Sequence, residues 1–177
     1  MNVENLFASF KSALGDGYLE DRTIERTVGT VETGTVYDLW IVVERDRLHD
    51  AVVHLCEAYD PHLSVISGDD LGEALALNYH FTVGWGARYG EATVTLRTVL
   101  PKSDLTVPTI TDVLPGAQTS EREKIEFLGV DVVGIPDDRN VFLPEDMTIH
   151  PWRKDLEEET AKEVKRMVKW EGRHGHE

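Results

Sequence analysis

The sequence predicts an α+β fold, with one antiparallel or mixed sheet carrying amphipathic helices on one face. Three observations lead there. Apolar residues recur at helical spacing in two early segments. Strict alternation marks two later ones, joined by a glycine-bearing turn. The elements follow the order α, β, β, α, β, β, β up to about Pro101, and a single sheet covered on one side would bury both apolar helix stripes.

Val3, Leu6, Phe7, Phe10 and Leu14 share a helix face, and Gly15 supplies a stop. Leu19 to Val28 and Val36 to Val43 read as strands, with Gly29 and Gly34 between them. A second helix is expected from Asp46 to Tyr59, striped by Leu48, Val52, Leu55, Cys56 and Tyr59 and ended by Pro61. Leu63 to Ser67 reads as a short strand. Leu75, Leu77, Tyr79, Phe81, Val83 and Trp85 then alternate with Ala76, Asn78, His80, Thr82 and Gly84. Ala92, Val94, Leu96, Thr98 and Leu100 repeat the pattern after the turn Gly86-Ala87-Arg88-Tyr89-Gly90. One face of this hairpin should be buried and the other largely solvated.

After Pro101 the character changes. Pro108, Pro115, Pro136, Pro144 and Pro151 recur, and strand signals are few. The expected organisation is a core at 1–104, an extended arm with short helical turns at 105–155, and a charged helix and tail at 156–177. Such a long irregular segment is uncommon in a compact domain and often functional. Within it, Ser120-Glu121-Arg122-Glu123 reads as a capping box, Ile125 and Leu128 share a face, and Gly129 suits a left-handed close. Leu156 to Gly172 is expected to be a helix, with Glu157 to Glu159 and Lys165, Arg166 and Lys169 matching its dipole.

The composition restricts function. A formal charge of −15 argues against general nucleic-acid binding. Cys56 is the sole cysteine, so an internal disulfide or a cysteine-ligated iron–sulfur cluster is excluded. No histidine set has the spacing of a structural zinc site, and there is no nucleotide-binding glycine loop. No catalytic, cofactor-binding or metal-binding residue is therefore assigned. No apolar run approaches the roughly 18 residues of a membrane span, and no secretory signal is evident. The chain is therefore expected to be cytosolic, or peripheral to a membrane on its cytosolic side.

The ordered set Glu121-Arg122-Glu123, Glu126, Gly129, Gly134-x-Pro136, Arg139 and His150-Pro151-x-Arg153-Lys154-Asp155 resembles the signature of the C-type subunit of respiratory complex I and the related membrane-bound energy-converting nickel-iron hydrogenases. Residues 107–117 resemble the family's lead-in, and Phe142-Leu143-Pro144-Glu145-Asp146 its apolar-proline-acid step. Phe142-Leu143-Pro144 favours the hydrogenase-type members. Departures are Ile125 for an aromatic residue, Glu126 for aspartate, Ile135 for histidine and Trp152 for leucine. The resemblance implies a subunit without a redox centre of its own. Its implied partners are a large subunit, carrying a nickel-iron site or its vestige, and an iron–sulfur small subunit. It further implies that the motif charges pair with the large subunit. The rival reading is a free-standing enzyme using a carboxylate in the Glu121–Glu126 region, such as Glu123 or Glu126.

Overall fold

The computed structural model describes residues 2–30, 33–86, 90–144, 147–157, 160 and 162. The elements are α1 (Val3–Leu14), β1 (Tyr18–Val28), β2 (Gly34–Val43), α2 (Leu48–Tyr59), β3 (His62–Asp70), β4 (Ala74–Val83), β5 (Ala92–Pro101), β6 (Thr106–Pro108), α3 (Gln118–Leu128) and β7 (Asp131–Val133). The expected C-terminal helix lies mostly outside the described residues, as do Ala87 to Tyr89 and the pair Glu145-Asp146.

Five strands form one sheet in the order β1-β2-β5-β4-β3. All neighbours are antiparallel except β2 and β5, which run parallel. Local chemistry sets the ends. The Asn2 carboxamide accepts from the Asn5 N–H and starts α1, and Gly15 ends it. Asp60 closes α2 in the left-handed region that aspartate tolerates. The strand at Leu63 runs on to Asp70, beyond its expected end. Gly68, Asp69 and Asp70 are weak strand formers, but pairing with Leu77, Ala76 and Leu75 overrides that tendency.

Leu6, Phe10, Leu48, Val52 and Leu55 of the helices meet Leu39, Ile41, Leu75, Tyr79, Phe81, Val94 and Leu96 of the sheet in one core. Trp85 leaves the alternating pattern, because β4 ends at Val83 and the indole projects into solvent. The opposite sheet face is polar, yet it is more closed than alternation implies. Ala76, Asn78 and Thr95 are buried there. His80 bridges Ser67 and Thr95 at 2.9 Å each, with Trp40 edge-on to its ring.

The segment after Pro101 is more regular than its prolines suggest. β6 and β7 pair in parallel, and α3 between them is a helix of 11 residues. Val107, Ile110, Ala117, Leu128, Val130 and Val132 join the same core as the sheet. α3 lies on the same sheet face as α1 and α2. Gly68 sits opposite Leu77 there, and a Cβ at Gly68 would lie 2.4 Å from Leu128 Cδ1. The missing side chain is what lets α3 approach β3. Gly68→Val should therefore push Leu128 aside and cost about 1–3 kcal/mol, as overpacking does. A chemical melt of the variant beside the wild type checks this, and an unchanged midpoint would contradict the close approach.

Candidate functional site

The motif residues converge on α3. Its start differs from the expected capping box. A short 3-10 turn at Pro115–Ala117 runs straight into the helix, so Ser120 is already inside it and Ala117 occupies the cap. Glu123 pairs with Lys124 instead of reaching back to Ser120.

Glu121 faces inward and is almost fully buried. Its carboxylate accepts from the Ile110 N–H at 2.9 Å and from the Thr109 hydroxyl at 2.6 Å. Burial nevertheless pushes this carboxyl above its ordinary pKa. Glu126, also buried, accepts from three consecutive backbone N–H groups, those of Val141, Phe142 and Leu143, the first two at 2.7 and 2.8 Å. Arg122 performs the complementary task. It donates to the carbonyls of Arg139 at 2.7 Å and Asn140 at 3.2 Å, and it pairs with Asp137. Arg139 forks onto the same Asp137. Arg139 first, then Arg122, holds that carboxyl far below its usual range. One turn and a half of helix thus binds both donors and acceptors of an irregular backbone that has no ladder to satisfy it.

The carboxyl end of α3 is closed by the returning chain. A helix leaves its last four carbonyls without intrahelical donors. Here the Gly129 N–H reaches Ile125 O at 2.9 Å, His150 Nδ1 donates to Glu126 O at 2.9 Å, and the Trp152 N–H donates to Phe127 O at 3.0 Å. Arg153 lies 3.5 Å from Leu128 O, a cation at the negative end of the dipole. Gly129 is required twice over. It adopts a left-handed φ of 72°, and a Cβ would meet the His150 ring at 2.6 Å. Pro151 sits in the turn that the Arg153 N–H closes onto His150 O at 3.0 Å. Gly134 adopts a left-handed φ of 87° after β7, and Pro136 is exposed just beyond it.

A second junction ties the arm to the sheet. The fully buried Asp70 carboxylate accepts from the Gly72 N–H, the Lys102 ammonium and the Lys154 N–H, at 2.8, 2.9 and 2.7 Å. Lys102 also contacts Asp155 at 3.0 Å, and Arg153 forks onto Asp155. Burial alone would raise the Asp70 carboxyl. The Lys154 and Gly72 amides and the Lys102 ammonium outweigh it and leave the group below its ordinary value. Arg153, foremost, keeps Asp155 low as well. Asp70 and Lys102 were absent from the sequence-derived set. Asp70-x-Gly72 signals a local turn, but nothing local connects it to a residue 84 positions away.

The remaining candidates are dispersed. His49 contacts Asp112 at 2.8 Å, and His54 contacts Ser9 at 3.0 Å on the other side of α2. Ser9 donates to Leu6 O, so His54 is a donor to Ser9 and not its base. Burial raises the Cys56 thiol, which opposes a nucleophilic role. Among the described residues no three His, Cys, Asp or Glu side chains gather as a metal site. Among them, too, no helix is long and apolar enough to cross a membrane.

The family model for the respiratory-chain NADH dehydrogenase 30 Kd subunit matches residues 41–162. The chain belongs to this family. The match runs from the end of β2 through α3 and Asp155, and so contains every motif position described above. NADH-quinone oxidoreductase subunit 5 of Thermus thermophilus is 30% identical over 133 residues, which span 71% of this chain and 64% of that subunit. The membrane-bound hydrogenase subunit beta of Pyrococcus furiosus is 29% identical over 66% of this chain and 69% of its own. Hydrogenase-4 component G of Escherichia coli is 30% identical over 70% of this chain and 23% of its own. The fold agrees with a chain of the membrane-bound sulfane sulfur reductase, an archaeal respiratory membrane complex. That TM-score is 0.67 at 20% identity, covering 98% of this chain and 95% of the other. The trypsin-resistant fragment of Nqo5 gives 0.56 at 23% identity, covering 77% and 99%. The family's members are thus subunits of complex I-like and membrane-bound hydrogenase complexes.

Two outcomes follow from the geometry. Glu126→Ala removes the acceptor for three N–H groups. With about 1–3 kcal/mol for each unmet buried donor, and water free to reach part of the loop, the loss should be about 2–4 kcal/mol. Glu126→Gln, which keeps one acceptor oxygen, should fall between the two in urea unfolding. The acid limb has a definite sign. Depressed carboxyls such as Asp70 and Asp155 contribute stability that is present above about pH 4, the ordinary carboxyl range, and lost as pH falls through their folded values. Glu121, raised, acts in the opposite direction and gains by protonation. Asp70→Asn should lower stability at neutral pH and flatten its decline on acidification, read from unfolding midpoints between neutral and acid pH.

Proposed function

We propose that this chain is a subunit without catalytic residues of its own, in the peripheral arm of a membrane-associated oxidoreductase. It docks through residues 105–155 on the large subunit that holds the nickel-iron site or its vestige, beside an iron–sulfur small subunit, on the cytoplasmic side. The family match over residues 41–162 carries this reading, because it includes α3 and the whole arm. The hydrogenase-type branch is favoured by Phe142-Leu143-Pro144.

The chemistry of α3 supports a scaffold over the rival enzyme. Glu121 and Glu126 bind backbone N–H groups, and Glu123 is paired with Lys124. A general acid or base needs a carboxyl that can reach a substrate proton. These three are already committed inside the chain. Of the motif charges, Arg122, Arg139, Arg153 and Asp155 also have internal partners, while the Lys154 side chain is exposed.

Affinity capture of the tagged full chain from solubilised membranes tests the proposal. The large and iron–sulfur subunits should be recovered with it in stoichiometric amounts, with iron bound to them. A chain that purifies alone, or that itself holds stoichiometric iron, would refute the scaffold role.

A further inference from the structure

The side chains that the motif contributes are largely used up within the chain, so something else must face the partner. The arm offers an aromatic patch. Phe127 of α3 stacks on Trp152, with ring centroids 4.4 Å apart, and lies 6.0 Å from Phe142. Phe142 is 63% exposed and Trp152 44%, with Val141 beside them at 39%. Large apolar groups exposed together mark interaction surfaces more often than scattered ones do.

These groups are also held in place. The backbone at Val141, Phe142 and Leu143 is fixed by Glu126, and that at Trp152 by Phe127 O. Lys124 sits over the Trp152 ring at 4.7 Å with its charge met by Glu123. The patch is therefore rigid and electrically quiet at its centre. Ordering such a surface before contact reduces the cost of binding. Tryptophan and other aromatic anchors are also over-represented among the few residues that dominate interface energetics.

Charge selects the occupant. In sequence, residues 137–155 carry Asp137, Asp138, Glu145, Asp146 and Asp155 against Arg139, Arg153 and Lys154, and the whole chain stands at −15. A second copy would bring two strongly acidic chains together, which disfavours self-association. A partner that presents an apolar pocket and is not itself strongly acidic is complementary.

We infer that Phe142 and Trp152, supported by Phe127, are the anchors of the docking surface. They insert into an apolar pocket of the large subunit, with the exposed Lys154 at the margin. This rests on the docking proposed above and assigns its binding strength to the aromatic patch instead of to the motif's arginines.

The experiment uses the tagged full chain in its complex. Phe142→Ala/Trp152→Ala should reduce recovery of the large subunit more than about tenfold, as loss of anchor residues does. The isolated variant should stay folded, with a modest drop in melting temperature from loss of the Trp152–Phe127 stack, and Phe142→Ala alone should melt close to wild type. Lys154→Glu should have a smaller effect. Wild-type recovery should persist at about 0.5 M salt, where surface charges are screened. Normal recovery with the double variant but loss with Lys154→Glu overturns the aromatic assignment and leaves docking intact. A wild-type chain that recovers no large subunit overturns both. Sedimentation of the isolated chain should show a monomer, and a dimer abolished by the double variant would instead assign the patch to a second copy.

Discussion

Everything after β5 depends on one constraint. An irregular backbone must find partners for its N–H and C=O groups, and α3 supplies them. Glu126 satisfies three donors of one loop, Arg122 two acceptors of the same loop, and Glu121 the approach from β6. In exchange, residues 150–153 satisfy the carbonyls at the end of α3. Each side completes the other's hydrogen bonding. Buried carboxylates are costly when unpaired, so α3 and the chain that returns to it support each other. A charged motif of this kind needs no catalytic explanation.

The junction at Asp70 makes that unit part of the sheet. Asp70 joins the end of β3 to Lys102 after β5 and to the backbone of Lys154. Lys102 and Asp155 extend it to Arg153, which returns to the end of α3. The route closes a loop from sheet to arm to helix and back to the sheet through Gly68 and Leu128. Coupling of this sort explains how one rigid surface can be made from segments far apart in sequence.

The fold's first hundred residues were legible because their signals are periodic. α1 has the expected bounds, Val3–Leu14, and the β4–β5 hairpin follows its alternation. The polar sheet face was misjudged as solvated. Alternation reports which side a residue faces, but not how closely neighbours such as Trp40 and His80 cover it. The capping box at Ser120 failed because Pro115 starts a 3-10 turn that carries the helix upstream, a competing local preference. Gly129 succeeded because a left-handed close is a strictly local requirement. Asp70 and Lys102 could not be read, since their partners lie in other segments and no periodicity joins them; His150 stood in the motif, but its contact with Glu126 O was not legible there.

A charged motif can thus be committed to its own chain's backbone. Arg122 and Glu126 are distinctive because a backbone without a ladder demands a guanidinium fork and a carboxylate at those places. Once those demands are met, such residues have little left to offer a partner. Positions outside the charge pattern are free to carry recognition. Trp152 is such a position. It caps α3 with its N–H while its ring enlarges the exposed face beside Phe127. The same residue therefore serves the internal framework through its backbone and the outer surface through its side chain.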